Sequence, residues 1–361
     1  MLTAMKRYFI LLAAVALLAA CNKDTDEVQP TQSTMPKRLA ALTSISYTQN
    51  RGRDYNTGEY VLLFTSGSKS TTTFGWTSAG LPVRYGMADI DIITIEYNGD
   101  NISHITFYDM LTLRSNGGSI TDVSCTYTGN NLTEVYITDS EGWTKKTLTY
   151  DTNGVLTTSR TETIDGDVDE TTLVWENGNV KSETTTHTSS RYSSSSTRTV
   201  EYLYDNKISY YTGMGNFALI MGGYSILSRN NVLRETRVGE GTTTYTYTYD
   251  GDWPTSVTSH ITENYQISES TSYLQYNDGS GASVPQTYRI SAKSNMPDNY
   301  SLYVIGSGDY EAGRQVVLRA STSIADTGFV CWSDGNTDNP RIFTVTGDAE
   351  YIAVFNAINN K

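Results

Sequence analysis

From about residue 43 to 285, apolar and polar residues alternate with a period of two. The clearest runs are Ile93-Thr94-Ile95-Glu96-Tyr97 and Thr244-Tyr245-Thr246-Tyr247-Thr248-Tyr249, with one face aromatic or aliphatic and the other polar. Such runs predict strands. Each closes on Gly, Asn and Asp, as in Tyr97-Asn98-Gly99-Asp100-Asn101 and Tyr127-Thr128-Gly129-Asn130-Asn131, where left-handed backbone is accessible. The predicted element is therefore the antiparallel hairpin.

The hairpin recurs. An aromatic at position n is followed by the turn, by an aliphatic at n+5 and by a returning strand: Tyr97 with Ile102, Tyr127 with Leu132, Tyr150 with Val155, Trp175 with Val180. The first two copies repeat apolar residues at n+8 and n+10, Ile105 and Phe107, then Val135 and Ile137, whereas the third has Thr158 and Arg160. Tyr204 with Ile208 reads as a shortened copy, and Tyr249 and Tyr276 mark two further turns. The spacings of 30, 23, 25 and 29 residues from Tyr97 to Tyr204 fit two strands and two turns per unit. The interval then widens to 45 residues and holds the apolar run Phe217-Ala218-Leu219-Ile220-Met221, read as an inserted loop or short helix that covers an open end of the sheet. The same run could instead line a ligand pocket.

A different pattern opens the chain. Lys6 and Arg7 precede an apolar run from Tyr8 to Ala20, too short to span a bilayer as a helix and suited to a signal peptide. The run ends Leu18-Ala19-Ala20-Cys21, which resembles a lipobox and implies lipidation of Cys21, with cleavage before it. Asn22-Lys23-Asp24-Thr25-Asp26-Glu27 resembles the signal that sends some lipoproteins to the outer face of the outer membrane. Residues 1–20 are thus read as a signal peptide and 21–42 as the lipidated cysteine and a polar flexible tether containing Pro30 and Pro36.

The segment Tyr150-Asp151-Thr152-Asn153-Gly154-Val155-Leu156 resembles the YD (RHS-type) repeat. Across 43–285 the layout resembles bacterial lipoproteins of unknown function with a porin-like fold built of degenerate YD-like hairpins. The resemblance implies an all-β antiparallel hairpin-repeat meander curling toward a barrel, and no established activity. Segments such as Thr161-Glu162-Thr163 and Lys181-Ser182-Glu183-Thr184-Thr185-Thr186 are polar on both faces, which favours a water-exposed barrel over one set in lipid. After Pro285, residues 290–357 resemble a divergent internalin-type B-repeat, on Gly306-Ser307-Gly308-Asp309-Tyr310, Phe329-Val330-Cys331-Trp332-Ser333-Asp334-Gly335, Val345-Thr346-Gly347-Asp348 and Tyr351-Ile352-Ala353-Val354-Phe355. That resemblance implies a small C-terminal β module with Trp332 and Phe355 in its core.

Composition supports strands: the chain has 27 tyrosines. The formal charge is −13, and loss of Lys6 and Arg7 makes the mature chain two charges more negative. Nucleic acid is therefore not an expected partner. Three cysteines, Cys21, Cys125 and Cys331, cannot form a multi-disulfide framework.

No catalytic motif emerges. Asp165, Asp167 and Asp169 alternate as in a calcium loop, but Glu170 stands at the sixth position where that loop needs glycine, and Asp165-Gly166 reads better as a hairpin tip. His104, His187 and His260 lie on separate hairpins without metal-binding spacing. No metal site and no cofactor are expected. Trp143 and Trp253, each beside a turn, are the candidates for stacking on a sugar ring. The sequence thus points to a lipid-anchored, cell-surface protein of the outer membrane, non-enzymatic, binding an extracellular glycan or protein or acting as a scaffold. A glycan hydrolase using a carboxylate pair is the alternative, and a purely structural envelope component the third. The oligomeric state stays open.

Overall fold

The computed structural model describes residues 36–54, 57–87, 90–108, 120–192, 194–221, 223–262, 265–296, 301–323 and 327–357. The signal peptide, Leu18, Ala19, Ala20 and Cys21 lie outside them. By contact density the chain forms two compact units. Of the described residues, the first holds those in 36–42, 71–256 and 274–282, and the second those in 43–70, 257–273 and 283–357.

The repeat region is a meander of sixteen strands. They are β1 (Leu39–Arg53), β2 (Tyr60–Trp76), β3 (Pro82–Met87), β4 (Ile90–Asn98), β5 (Asn101–Tyr108), β6 (Ile120–Thr128), β7 (Asn131–Asp139) and β8 (Gly142–Tyr150). Then follow β9 (Leu156–Thr163), β10 (Val168–Glu176), β11 (Asn179–Ser189), β12 (Ser194–Tyr204), β13 (Val232–Arg237), β14 (Gly241–Asp250), β15 (Trp253–Thr262) and β16 (Gln266–Tyr276). β1 pairs with both β2 and β16, so the antiparallel meander closes into a sixteen-stranded barrel. Closure removes the free edges that a long polar sheet would otherwise expose. β1 starts inside the segment read as tether, where fully buried Leu39 anchors it.

The repeated aromatic has a physical role that its spacing only hinted at. The aromatic near the end of each even-numbered strand donates to a main-chain carbonyl at the start of the strand before it. Trp76 Nε1 donates to Leu39 at 2.7 Å, Tyr150 Oη to Leu132 at 2.7 Å and Trp175 Nε1 to Leu156 at 2.6 Å. Tyr204 donates to Val180 at 2.8 Å, Tyr247 to Val232 at 2.9 Å, Tyr276 to Pro254 at 2.6 Å, and Tyr97 to Pro82. Tyr127 is the exception: its buried hydroxyl lies by the Ile102 backbone and the Asn216 side chain without closing a well-formed bond to either. A register shift immediately before Tyr97, Tyr127, Tyr150, Trp175 and Tyr204 marks the bulge at each of these aromatics. Such bulges re-aim side chains, here back toward the preceding hairpin.

Two expected pairings shift. Tyr150 pairs with Leu156 rather than Val155, because Asp151 Oδ1 accepts from the Asn153 and Val155 amides and lengthens the turn by one residue. Leu156 is buried at 4% exposure and Val155 is exposed. Tyr204 does not lead into a return strand at Ile208; the chain first makes the insertion and resumes as β13 at Val232.

The insertion carries one helix, α1 (Gly215–Met221), and a 3-10 turn at Ser225–Leu227. Met214, Phe217, Ala218, Leu219 and Ile220 are all buried, so consecutive residues around the helix meet protein, as for a fully enclosed helix. They pack with Ile93, Ile95, Ile105, Val123, Val135, Leu148 and Leu173, which point inward from β4 to β10. The apolar run is therefore a plug inside the barrel.

In the second unit, β17 (Thr287–Ser294), β18 (Leu302–Ile305), β19 (Gly308–Glu311), β20 (Gln315–Thr322), β21 (Thr327–Trp332), β22 (Arg341–Thr344) and β23 (Ala349–Ala357) form the C-terminal module. Its core includes Ile290, Tyr310, Leu318, Trp332 and Phe355, so both aromatics expected inside are inside. β19 meets β2 at Gly308 and Gly67; a Cβ on Gly67 would lie 2.4 Å from the Asp309 carbonyl oxygen, so only glycine permits this approach.

Candidate functional site

Strand alternation sorts the side chains of β8 to β14 into two sets. Outward stand Thr147, Arg160, Glu162, Glu170, Thr172, Thr184, Thr186, Thr197, Thr199, Thr244 and Thr246. Arg160 is salt-bridged to Glu170 at 2.6 Å, Lys145 to Glu134 at 2.6 Å, and hydroxyl pairs Thr184–Thr199 and Thr186–Thr197 sit at 3.1 Å. Exposed Val174 and Leu203 also stand outward, and the rest of this outer face is mainly hydroxyls and ion pairs.

Inward, the lining changes from apolar to polar. Val135 on β7 is paired with Lys146 on β8, then come Ser159 and Thr161 on β9, Asp169 and Thr171 on β10, Glu183, Thr185 and His187 on β11, Arg198 and Tyr202 on β12, and Glu235 and Arg237 on β13. Burial raises the Glu183 carboxyl pKa; the Tyr202 hydroxyl that bonds to it and nearby Arg198 pull the other way. Tyr202 is opposite Glu235 in register, and Glu235 is paired with Arg237 at 2.8 Å. Two carboxylates thus flank one tyrosine. Burial also pushes the Lys146 amine down to about 8, its Nζ donating to the Leu219 carbonyl of the plug at 3.0 Å. None of these residues stood out in the sequence. The one available signal was the stretch polar on both faces, which now reads as a polar lumen behind a polar exterior.

The residues singled out from sequence fall as follows. Trp143 is on the outer face of β8, stacked on Tyr136 with ring centroids 6.0 Å apart and planes 19° from parallel. The Lys145–Glu134 pair lies on the same face, and exposed Ile164 donates its amide to the Trp143 carbonyl. Trp253 instead packs edge-on to Tyr276 at 5.4 Å, against Leu39 and Leu274, with Lys37 Nζ 5.4 Å above its ring. The two tryptophans are not brought together.

Asp165, Asp167 and Asp169 diverge. The Asp165 carbonyl accepts from Ser190 Oγ, Asp167 Oδ1 accepts from the Ser190 amide at 2.8 Å, and Asp169 Oδ1 meets His187 Nδ1 at 2.8 Å. The Ser190 amide holds the Asp167 carboxyl below its usual pKa. Each histidine faces a carboxylate on a neighbouring strand: His104 with Asp122, His187 with Asp169, His260 with Glu269.

No protein-family model and no curated protein matches the chain. Among the solved structures similar to it are two porin-like proteins. One is a porin-like protein from Bacteroides uniformis, 16% identical, with a TM-score of 0.39, covering 68% of this chain and 100% of that one. The other is a porin-like protein from Bacteroides vulgatus, 13% identical, with a TM-score of 0.41, covering 67% of this chain and 99% of that one. At such scores neither likeness bears on what this chain does.

Proposed function

We propose that the protein is a lipid-anchored, non-catalytic binding protein of the bacterial outer surface, held by acyl chains on Cys21 and presenting a water-facing barrel to an extracellular glycan. The observation that carries this reading is the two-sided polarity of β8 to β14. A lipid-facing strand needs an apolar band, and an Arg or Lys at the bilayer midplane costs about 2–4 kcal/mol there. Arg160, Glu162, Glu170, Lys145 and Glu134 stand on the face that lipid would touch. A barrel of this kind belongs in water, so attachment falls to the lipid, where several acyl chains at about 0.8 kcal/mol per buried methylene suffice. Asn22 to Glu27 supports the outer-surface address. The stacked Tyr136–Trp143 pair supports the glycan, because flat aromatic faces beside charged donors and acceptors suit a sugar ring.

Three measurements test this. Radiolabelled palmitate enters the full chain and not Cys21→Ala; equal labelling of both refutes the anchor. Residues 29–361 purify as a monodisperse protein without detergent; a requirement for detergent refutes the water-facing barrel. That body is then screened for binding and degradation against host and dietary polysaccharides, with Trp143→Ala beside it. Binding without product, lost on Trp143→Ala, is the expected result. Released oligosaccharide would transfer the case to hydrolysis, with Glu183 and Glu235 around Tyr202 as the first pair to substitute.

A further inference from the structure

One charged group of the lumen lacks a counter-charge. Lys146 is 6% exposed, and an ammonium carries three donors. The Leu219 carbonyl at 3.0 Å is the one acceptor it meets among the described residues, and none of their carboxylates forms a salt bridge with it. Opposite it on β9 stands Thr161, and the next inward residue, opposite Leu148, is Ser159. Ser159 is 2% exposed, and among the described residues its hydroxyl closes no well-formed hydrogen bond. Thr171, across from Ser159 on β10, spends its hydroxyl on Thr185 at 2.9 Å. From the plug, the Tyr224 ring lies 5.9 Å from Lys146 Nζ, and its hydroxyl is directed at Ser159 and Thr171.

Two buried groups whose hydrogen-bonding capacity is only partly met, one of them charged, thus share one part of the lumen. The acids facing the lumen nearby are engaged elsewhere: Asp169 with His187, and Glu183 with Tyr202. A neutral molecule could take the hydrogen bonds but would leave the charge uncompensated, which is the expensive part of burying an ammonium. A divalent anion would overshoot it. Leu148 and Leu173, which line the neighbouring positions, favour a small ligand over an extended one.

We propose that this part of the lumen is a binding site for a small monovalent anion, held by the Lys146 ammonium and the Ser159 hydroxyl and closed from the plug by Tyr224. The burial that lowers the Lys146 pKa agrees with the geometry, since a bound anion would restore the charged amine. The inference is independent of the glycan reading, because it uses only luminal residues.

The test is thermal unfolding of residues 29–361 in sodium bromide against sodium gluconate at equal ionic strength, gluconate being a much bulkier monovalent anion. The expected result is a saturable rise in Tm with bromide, about 3–6 °C at a hundredfold excess over half-saturation. Lys146→Met removes the response, and Ser159→Ala, which changes almost no volume, raises the half-saturating bromide concentration about fivefold or more. In crystals grown with bromide, the anomalous peak lies beside Lys146 Nζ. A wild-type response equal in the two salts, an undiminished response in Lys146→Met, or a bromide peak away from Nζ would each overturn the proposal.

Discussion

Lys146→Met, studied in halide-free gluconate buffer, isolates the energetics of the buried amine. Its pKa falls from 10.5 to about 8 through loss of hydration, a difference of about 3 kcal/mol at 1.36 kcal/mol per unit. At 6% exposure, solvent screening offers little relief. Because the folded pKa lies below the unfolded one, both states are charged below pH 8 and the native state bears the whole penalty there. Between about 8 and 10.5 the unfolded chain binds more protons, so this group makes stability rise with pH and then level off. Between pH 7.5 and 9.5 the gain works out at about 2 kcal/mol. Methionine has no such slope, and it leaves the Leu219 carbonyl without its donor, a cost of about 1–3 kcal/mol at every pH. The variant is therefore about as stable as the wild type at pH 7.5 and weaker by about 2 kcal/mol more at pH 9.5. Urea unfolding of both proteins at pH 7.5, 8.5 and 9.5 gives that difference, with the titration of tyrosines cancelling between them. Parallel stability curves would refute the claim that Lys146 is buried without a counter-charge.

The inter-hairpin bonds predict a contrast: Tyr150→Phe strands the Leu132 carbonyl and costs about 1–2 kcal/mol, whereas Tyr127→Phe, whose hydroxyl closes no well-formed bond, costs under about 0.5 kcal/mol in urea unfolding. Burial raises Tyr97, Tyr202, Tyr204, Tyr245 and Tyr247 above the unfolded value of 10, so their contribution is intact below pH 10 and is lost as pH climbs beyond it. Absorbance at 295 nm should show these tyrosines ionising together with the loss of β circular dichroism; a gradual titration of a still-folded barrel would contradict it. Trp253→Ala, which empties a place between Leu39, Leu274 and Tyr276, costs about 2–4 kcal/mol, and Trp143→Ala on the outer face costs about 1 kcal/mol or less by the same urea measurement.

The strands were legible because Thr244 to Tyr249 puts one chemistry on each face, and period two then fixes parity. The hairpin repeat was legible because Tyr97, Tyr127, Trp175 and Tyr204 each bond to the strand before their own or stand over it, which constrains both identity and spacing. The signal broke at Tyr150. There the Asp151 turn adds one residue, so the inward positions are Ser159 and Thr161 rather than Thr158 and Arg160. Counting from the aromatic without seeing that turn assigns the lumen to the wrong residues. Lys146 was illegible for a related reason: it follows Lys145, and only the pairing of Val135 with Lys146 separates the buried lysine from the exposed one. The charged lumen was hidden because hydroxyls occupy both faces of β11, leaving no contrast from which parity could be read.

The plug and the polar lining answer one geometric problem. A sixteen-stranded wall encloses more volume than its own side chains fill, and water standing against an apolar lining would forfeit the burial that holds the sheet. Where the wall presents Ile93, Ile105, Val123, Val135 and Leu148, the chain supplies Met214 to Leu227, inserted at the one interval that exceeds the repeat. Where it presents Thr171, Thr185, Glu183, Tyr202 and Glu235, the lining pairs with itself and tolerates water. Lys146 stands where these two regimes meet, paired with Val135 on one side and Thr161 on the other, with one bond into the plug. A change confined to that lysine therefore acts on how the plug is seated, while the strand pairings around it stay as they are.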